Sequence, residues 1–394
     1  MMTTTSLKTY YATIFPMTEI LCLITMNGKC SSYERILAFQ FPNDIMKRYI
    51  EKYTSDTLER MIKEQHPLSI HCGRAAVPLF PVHHNKDLII CNIRKELVFD
   101  VDASDYDKIP SKSSECEDNI KMRIRPCECD KSACDKCWYL IQFASKVIDY
   151  FITNIYDYKS LLWVFSGNRG IHCWINDKHA LSLSKETRET IIKSMILKSD
   201  EEIINYLTNK DYYISSTMKE IYHLLLQYFL SDDHHVESLM NNQKFIDIIL
   251  QYIDRYYNNI HGMLKKKWHN LHNTTGKEKW KQIEMITTKF NIIWKYNGGI
   301  VLPPPHQFII FRLFYPQFDE KVTIDTGEHL LKLPFSIHHS TKALSLPMTF
   351  EEIINKQLKD FIIKPFIDGR GGGGDNNIKE RISLLEKFNK CYIS

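Results

Sequence analysis

Residues 95–102 read Lys95-Glu96-Leu97-Val98-Phe99-Asp100-Val101-Asp102. The run is short, apolar and rich in β-branched and aromatic side chains, which predicts a strand. Side chains on a strand alternate between faces, so Leu97, Phe99 and Val101 point into a core and Asp100 and Asp102 share the other face. Two carboxylates on one face repel each other unless a cation lies between them. That is how a strand presents a divalent-metal site for phosphoryl transfer. Asp-x-Asp also decorates ordinary surface strands; the apolar flanks favour a pair at the end of a buried one.

Downstream, 161–165 and 171–175 read as two further strands around the turn Ser166-Gly167-Asn168-Arg169-Gly170, a hairpin signal. Alternation places His172 and Trp174 on one face. Ser166, Arg169 and His172 then converge at the hairpin's mouth, and a hydroxyl, a guanidinium and an imidazole are good donors to phosphate oxygens. The alternative is a solvated Arg169 and a packing histidine. Between the two stretches lies Cys127-x-Cys129-x4-Cys134-x2-Cys137. Four thiolates this close suit one tetrahedral Zn²⁺ in a structural site, with Cys116 as a substitute ligand and free thiols as the alternative.

Composition sets the frame. A chain of 394 residues allows two or three structural units, and 44% hydrophobic with 25% charged residues excludes disorder throughout. Eleven cysteines are too few for a disulfide scaffold. A net charge of +4 neither demonstrates nor excludes a nucleic-acid partner. No apolar run reaches the ~18–20 residues of a membrane span, and residues 1–8 lack a signal pattern, so the expectation is a soluble, intracellular chain without a membrane partner.

Helices are expected at 7–15 and 43–53, and a strand at 88–92. From 184 to 290 glycine nearly vanishes and helical spacing dominates, clearest at 221–230 and 245–257. Residues 261–281 carry six lysines against one glutamate, either a solvated face or a template or partner surface. After Pro303-Pro304-Pro305, strands are expected at 307–313 and 342–346. Residues 369–374 read as a glycine-rich linker and 377–390 as the last helix.

Two more stretches complete the pattern: Tyr315-Pro316-Gln317-Phe318-Asp319, and His329-Leu-Leu-Lys332-Leu-Pro334-Phe335-Ser-Ile-His338. Together with Leu7-Lys-x-Tyr10-Tyr11 and Ser166-Gly-x-Arg169-Gly-x-His172-Cys-Trp174, in this order, the set resembles the small catalytic subunit of eukaryotic and archaeal DNA primases. The resemblance covers about residues 5–180 and 300–347.

It implies a mixed α/β fold: two sheets around a catalytic cleft, a zinc motif at about 116–138, and an inserted helical subdomain. The boundaries would be 1–190 and 291–350 for the catalytic domain, 191–290 for the insertion and 351–394 for the C-terminal helices. It further implies an enzyme, a nucleotidyltransferase making RNA primers on single-stranded DNA for replication. Asp100, Asp102 and Asp319 would hold two Mg²⁺ or Mn²⁺ ions. Arg48, Ser166, Arg169, His172, Lys332 and His338 would bind the ribonucleoside triphosphate, and Cys127, Cys129, Cys134 and Cys137 one Zn²⁺.

Implied partners are the template, the RNA primer, a large primase subunit with an iron–sulfur cluster and the catalytic and accessory subunits of a replicative DNA polymerase alpha, in the nucleus. Alternatives are a stand-alone primase-polymerase using deoxynucleotides and a silent, zinc-stabilised assembly protein. The chain departs from the family pattern at Ile36, where an acid is common, and at Ser69-Ile-His71-Cys72-Gly73, where relatives carry an Asp that meets the sugar; His71 or Cys72 is the candidate substitute.

Overall fold

The strand expected at 95–102 forms as β5 (Leu97–Asp102) in a four-stranded antiparallel sheet. Its order is β11 (Leu346–Met348), β6 (Leu161–Phe165), β7 (Gly170–Ile175) and β5. The computed structural model describes residues 4–28, 35–42, 45–49, 54–78, 91–107, 129, 134–197, 199–231, 233–257, 262–264, 266, 274–290, 294–295, 301–326, 329–365 and 375–392. Both faces of this sheet are covered. Leu97, Phe99 and Val101 join Trp163, Phe165, Ile171 and Cys173 in one apolar cluster against α4 (Asp135–Tyr150). Val98, Leu162, Val164 and Trp174 belong to a second cluster, shared with the other sheet.

That other sheet, the first in chain order (the β5 sheet being the second), runs β10 (Leu331–Lys332), β3 (Ser69–Pro78), β1 (Arg35–Gln40) and β2 (Met46–Tyr49), with β4 (Cys91–Arg94) pairing the far half of β3. Leu37, Phe39, Ile70 and Cys72 pack with α1 (Thr4–Thr13), α2 (Met17–Ile24) and α3 (Ser55–Gln65). The opposite face of β1 and β3 looks into the space between the sheets. The two sheets are tied by a buried ion pair: Arg35 Nη2 lies 2.5 Å from Glu96 Oε2, and both side chains are 1% exposed. Arg35 also donates to the carbonyls of Leu23 and Gly73, and the Tyr392 hydroxyl donates to Glu96.

Residues 191–290 are helical where described, with α8 (Tyr212–Ser231) and α10 (Gln243–Tyr256) the longest of the helices there apart from α11 (Gly276–Phe290). Their buried faces merge with the cluster under the second sheet. Phe314 stacks on Phe143 of α4 at 4.2 Å and lies 5.2 Å from Phe229 of α8. The chain ends in α15 (Asp375–Lys390). Among the described residues no helix is long and apolar enough to cross a membrane.

Two expectations are corrected. Residues 307–313 are not a strand: Pro305–Phe314 is a helix, α12. Pro305 sits in its first turn, where a missing N–H costs nothing, and eight of its side chains are buried. An apolar run buried all round has no periodicity with which to separate strand from helix. Residues 43–53 are not a helix: Met46–Tyr49 pairs antiparallel with β1, Ala38 opposite Arg48 and Leu37 opposite Tyr49. Burying Tyr49 against Phe39, at 4.9 Å, outweighs local helix propensity. The expected strand at 342–346 shifts to Leu346–Met348, and only Cys91 and Asn92 of the strand expected at 88–92 fall among the described residues, both in β4. The glycine-rich run 369–374 lies outside the described residues.

Candidate active site

The second sheet carries the aspartates. In register, Asp100 lies opposite His172 and Asp102 opposite Gly170. A Cβ at Gly170 would lie 2.8 Å from the Val101 carbonyl oxygen, so glycine is what lets β7 close onto the end of β5. His172 Nε2 sits 3.5 Å from Asp100 Oδ1. Burial, then the Lys332 ammonium, push His172 down to about 3, so this ring is neutral at physiological pH. Asp102 Oδ1 accepts from Arg169 Nε at 2.8 Å and from the Ser104 amide and hydroxyl at 2.7 and 2.6 Å.

Asp319 arrives from far along the chain. Its backbone N–H donates to the Asp100 carbonyl oxygen at 3.1 Å, and its side chain caps α13 (Glu320–Ile324) by accepting from Lys321 N. Thr323 Oγ1 donates to Val98 O, fixing α13 along β5. Burial raises the Asp100 carboxyl well above the usual range, and Asp105, Asp102 and Asp319 add to it. Like charges collected around one half-buried carboxylate are the electrostatic mark of a cation site.

The first sheet supplies the opposite wall. Lys332 on β10 pairs with His71 on β3, His71 with Ala38 on β1, and Ala38 with Arg48 on β2. Residues in register share a face, so Arg48, His71 and Lys332 form one row across the sheet. Lys332 Nζ donates to Ser166 O at 3.4 Å, bridging to the hairpin of the other sheet. Burial pulls Lys332 down to about 8 against the opposing pull of Asp100. Arg48 is exposed at the other end of the row, about 14 Å away at ~4.8 Å per strand.

His338 joins the hairpin through Gly167, whose φ is +88° and whose Cβ would lie 2.9 Å from His338 Cβ. Burial and Lys332 push His338 down to about 3. Its Nδ1 accepts from Ser340 Oγ at 3.1 Å and lies 3.3 Å from the Ser340 amide. Ser166 Oγ accepts from Gly170 N at 3.2 Å, closing the turn.

The structure therefore brings Asp100, Asp102, Asp319, Ser166, Arg169, His172, Lys332 and His338 to one junction between the sheets. Arg48 shares the face and stands apart from the junction. Sequence reading left His71 and Cys72 equivalent; the structure separates them. Cys72 lies on the far face, against Arg35 Nη2 at 3.3 Å. His71 faces the cleft. Ser69 Oγ donates to Gln40 Oε1 at 2.8 Å, so at 2.8 Å from His71 Nε2 it accepts. This fixes the Nε2–H tautomer and leaves Nδ1 as an acceptor. Asp105, which accepts from Asp102 N at 3.1 Å, was also missed; it lies beyond the strand pattern that exposed its neighbours.

Cys129, Cys134 and Cys137 place their sulfur atoms within 4.8 Å of one another. Cys129 Sγ and Cys137 Sγ are 3.6 Å apart, close to the ~3.8 Å that ~2.3 Å bonds give in a zinc tetrahedron. The donor set fits Zn²⁺. Cys127 lies outside the described residues. Cys134 stands at the N-cap of α4 and Cys137 in its first turn.

Residues 99–350 match the family model of the DNA primase small subunit. The chain is 27% identical over 348 residues to the DNA primase small subunit of Saccharomyces cerevisiae, covering 86% of this chain and 80% of that protein. It is 25% identical over 330 residues to the DNA primase small subunit of Schizosaccharomyces pombe, covering 81% and 66%. It is 24% identical over 369 residues to that of Caenorhabditis elegans, covering 88% and 82%.

Proposed function

The chain belongs to the DNA primase small subunit family, and from that premise we propose that it is the catalytic subunit of a primase that makes short RNA primers on single-stranded DNA. The observation that carries the reading is the junction itself: three aspartates gathered at the end of β5 and faced by Lys332 from the opposite sheet. Asp100, Asp102 and Asp319 would hold two Mg²⁺ or Mn²⁺ ions. Ions held there would supply Lewis acidity to an attacking ribose 3′-hydroxyl and counter-charge to the pyrophosphate leaving group.

The protein's own groups hold the nucleotide. Lys332 brings a half-buried positive charge to the triphosphate, its pKa lowered by burial against the pull of Asp100. Arg169, now on Asp102, would donate to phosphate oxygens. Ser166, His172 and His338 donate as neutral groups, so they add hydrogen bonds without adding charge. Arg48, farther along the row, contacts phosphate at the edge of the cleft. His71 Nδ1 accepts from a sugar hydroxyl, the role that an Asp plays in relatives. The template is held through its backbone without strong sequence readout.

Residues 191–290 are read as an inserted subdomain within the catalytic domain, 1–190 and 291–350. The cysteines hold one structural Zn²⁺. A large primase subunit with an iron–sulfur cluster and a replicative DNA polymerase alpha would be the partners, in the nucleus. The site reading is tested by titrating Mn²⁺·ATP into the full chain: binding is expected to be lost in Asp100→Ala/Asp102→Ala, and equal binding by both proteins would refute it.

A further inference from the structure

The cysteine cluster and the aspartate pair share a wall. The pocket bounded by Cys129, Cys134 and Cys137 is also lined by Ala103, Trp138 and Arg169. Ala103 follows Asp102 directly, and its N–H donates to Arg169 O at 3.3 Å. Arg169 Nε holds Asp102 Oδ1 at 2.8 Å. Trp138, next to Cys137, meets the ring of Phe165 edge-on at 6.0 Å, and Phe165 leads into Ser166. The Ser166–Gly170 turn is thus braced from behind by the first turn of α4 and its thiols.

We propose that the cysteine site is a positioning element for Arg169. Zinc bound by three or more thiolates carries net negative charge, a fixed anion beside a guanidinium that already grips a carboxylate. Arg169 holds the aspartate through Nε and also lines the cysteine pocket. Its planar fork of donors suits two acceptors at once, which a lysine would not. The metal-bound thiolates hold the guanidinium within reach of the triphosphate once Asp102 turns to a cation. Without metal, the anion behind Arg169 is lost, and the arginine and its turn are no longer held at the end of β5. Nucleotide affinity then depends on a metal that touches neither nucleotide nor aspartates. This rests on the nucleotide-site reading above.

The test is a thermodynamic cycle on the full chain. Mn²⁺·ATP affinity is measured for wild type and Arg169→Ala, each with zinc loaded and with zinc withdrawn by an organomercurial followed by thiol and chelator. Mn²⁺ prefers oxygen ligands, so it reports on the aspartates and does not refill the cysteines. Withdrawal is expected to weaken wild-type binding about 10-fold, the scale of lost outer support at a metal site. In Arg169→Ala the same withdrawal is expected to change affinity by less than about 2-fold, because the coupled residue is gone. An unchanged wild type, or an equal loss in both proteins, would overturn the proposal.

If circular dichroism shows that withdrawal unfolds the chain, the decision passes to protein reconstituted with Co²⁺ at the cysteines. Adding Mg²⁺·ATP should then shift the cobalt–thiolate absorption of the wild type and leave Arg169→Ala unmoved. No shift in the wild type would overturn the proposal. Mn²⁺·ATP binding indifferent to Asp100→Ala/Asp102→Ala would overturn the underlying site reading instead, and the proposal with it.

Discussion

The backbone N–H of Asp319 donates to the backbone carbonyl oxygen of Asp100 at 3.1 Å. This one bond fixes the start of α13 against the end of β5, so the third carboxylate is placed by main chain and not by a flexible side chain. Thr323, one turn on, repeats the attachment at Val98. The cleft between the sheets is therefore built on backbone register: β5 with β7 on one wall, β3 with β10 on the other.

Gly170 is where that register leaves no room for a side chain. A methyl group there meets Val101 O at 2.8 Å and Asp102 Cα at 3.3 Å. Gly170→Ala is expected to destabilise the fold by about 1–3 kcal/mol, the range of an overpacked core, and to displace Asp102. Thermal melting together with Mn²⁺ affinity checks both effects. An unchanged melting temperature would mean that β7 yields without cost.

Arg35 and Glu96 are expected to behave as a buried pair. Arg35→Met alone leaves the Glu96 carboxylate uncompensated and should cost about 3–5 kcal/mol, whereas Arg35→Met/Glu96→Leu should recover much of it. Urea unfolding of the three proteins decides this; equal losses in single and double variants would contradict it.

Acid should reach the same pair. Burial alone would raise the Glu96 carboxyl, but Arg35 and the Tyr392 hydroxyl outweigh it and hold it below 4.5. Burial opposes Glu352 too, yet Arg381 and Lys356 bring it to about 2. Both are depressed on folding, so their stabilisation is complete above 4.5 and is lost as pH falls from there, for Glu352 towards about 2. Stability measured between pH 6 and 2, within the ~2.3RT-per-proton slope of linkage, should fall less steeply in Glu352→Gln than in wild type. Parallel curves would contradict the assignment.

His71 carries the sugar prediction. His71→Ala removes the Nδ1 acceptor and should lower discrimination between ribo- and deoxyribonucleotides roughly 10-fold, the scale of one hydrogen bond. His71→Asp restores an acceptor and should recover it. Primer extension with competing nucleotides reads this directly, and unchanged discrimination in His71→Ala would remove the residue from sugar recognition.

The hairpin 161–175 was legible because two apolar runs flank a short turn with two glycines, and β5 because its core residues and its aspartates alternate along the strand. The failures have a shared cause. Met46–Tyr49 and Pro305–Phe314 take their conformations from what they pack against: β1 in one case, Phe143 and Phe229 in the other. The row Arg48–Ala38–His71–Lys332 was invisible because it is written across four strands, and register is not encoded in any one of them. Arg35 stands beside Ile36, the residue singled out there, while its partner Glu96 sat within the stretch first read for its aspartates. The wall shared by Arg169 and the cysteines depends on α4 passing beneath the hairpin, a tertiary relationship with no local signature.

The carboxylates at the end of β5 are proposed to support nucleotidyl transfer on a DNA template. The most direct measurement is synthesis from ribonucleotides and Mn²⁺ or Mg²⁺ on single-stranded DNA, with a supplied RNA primer as a second substrate, by the purified full chain and by Asp100→Ala/Asp102→Ala. Template-dependent RNA synthesis or primer extension is expected from the wild type and none from the double variant. Equal synthesis by both, or failure of the wild type to extend even the supplied primer, would contradict it.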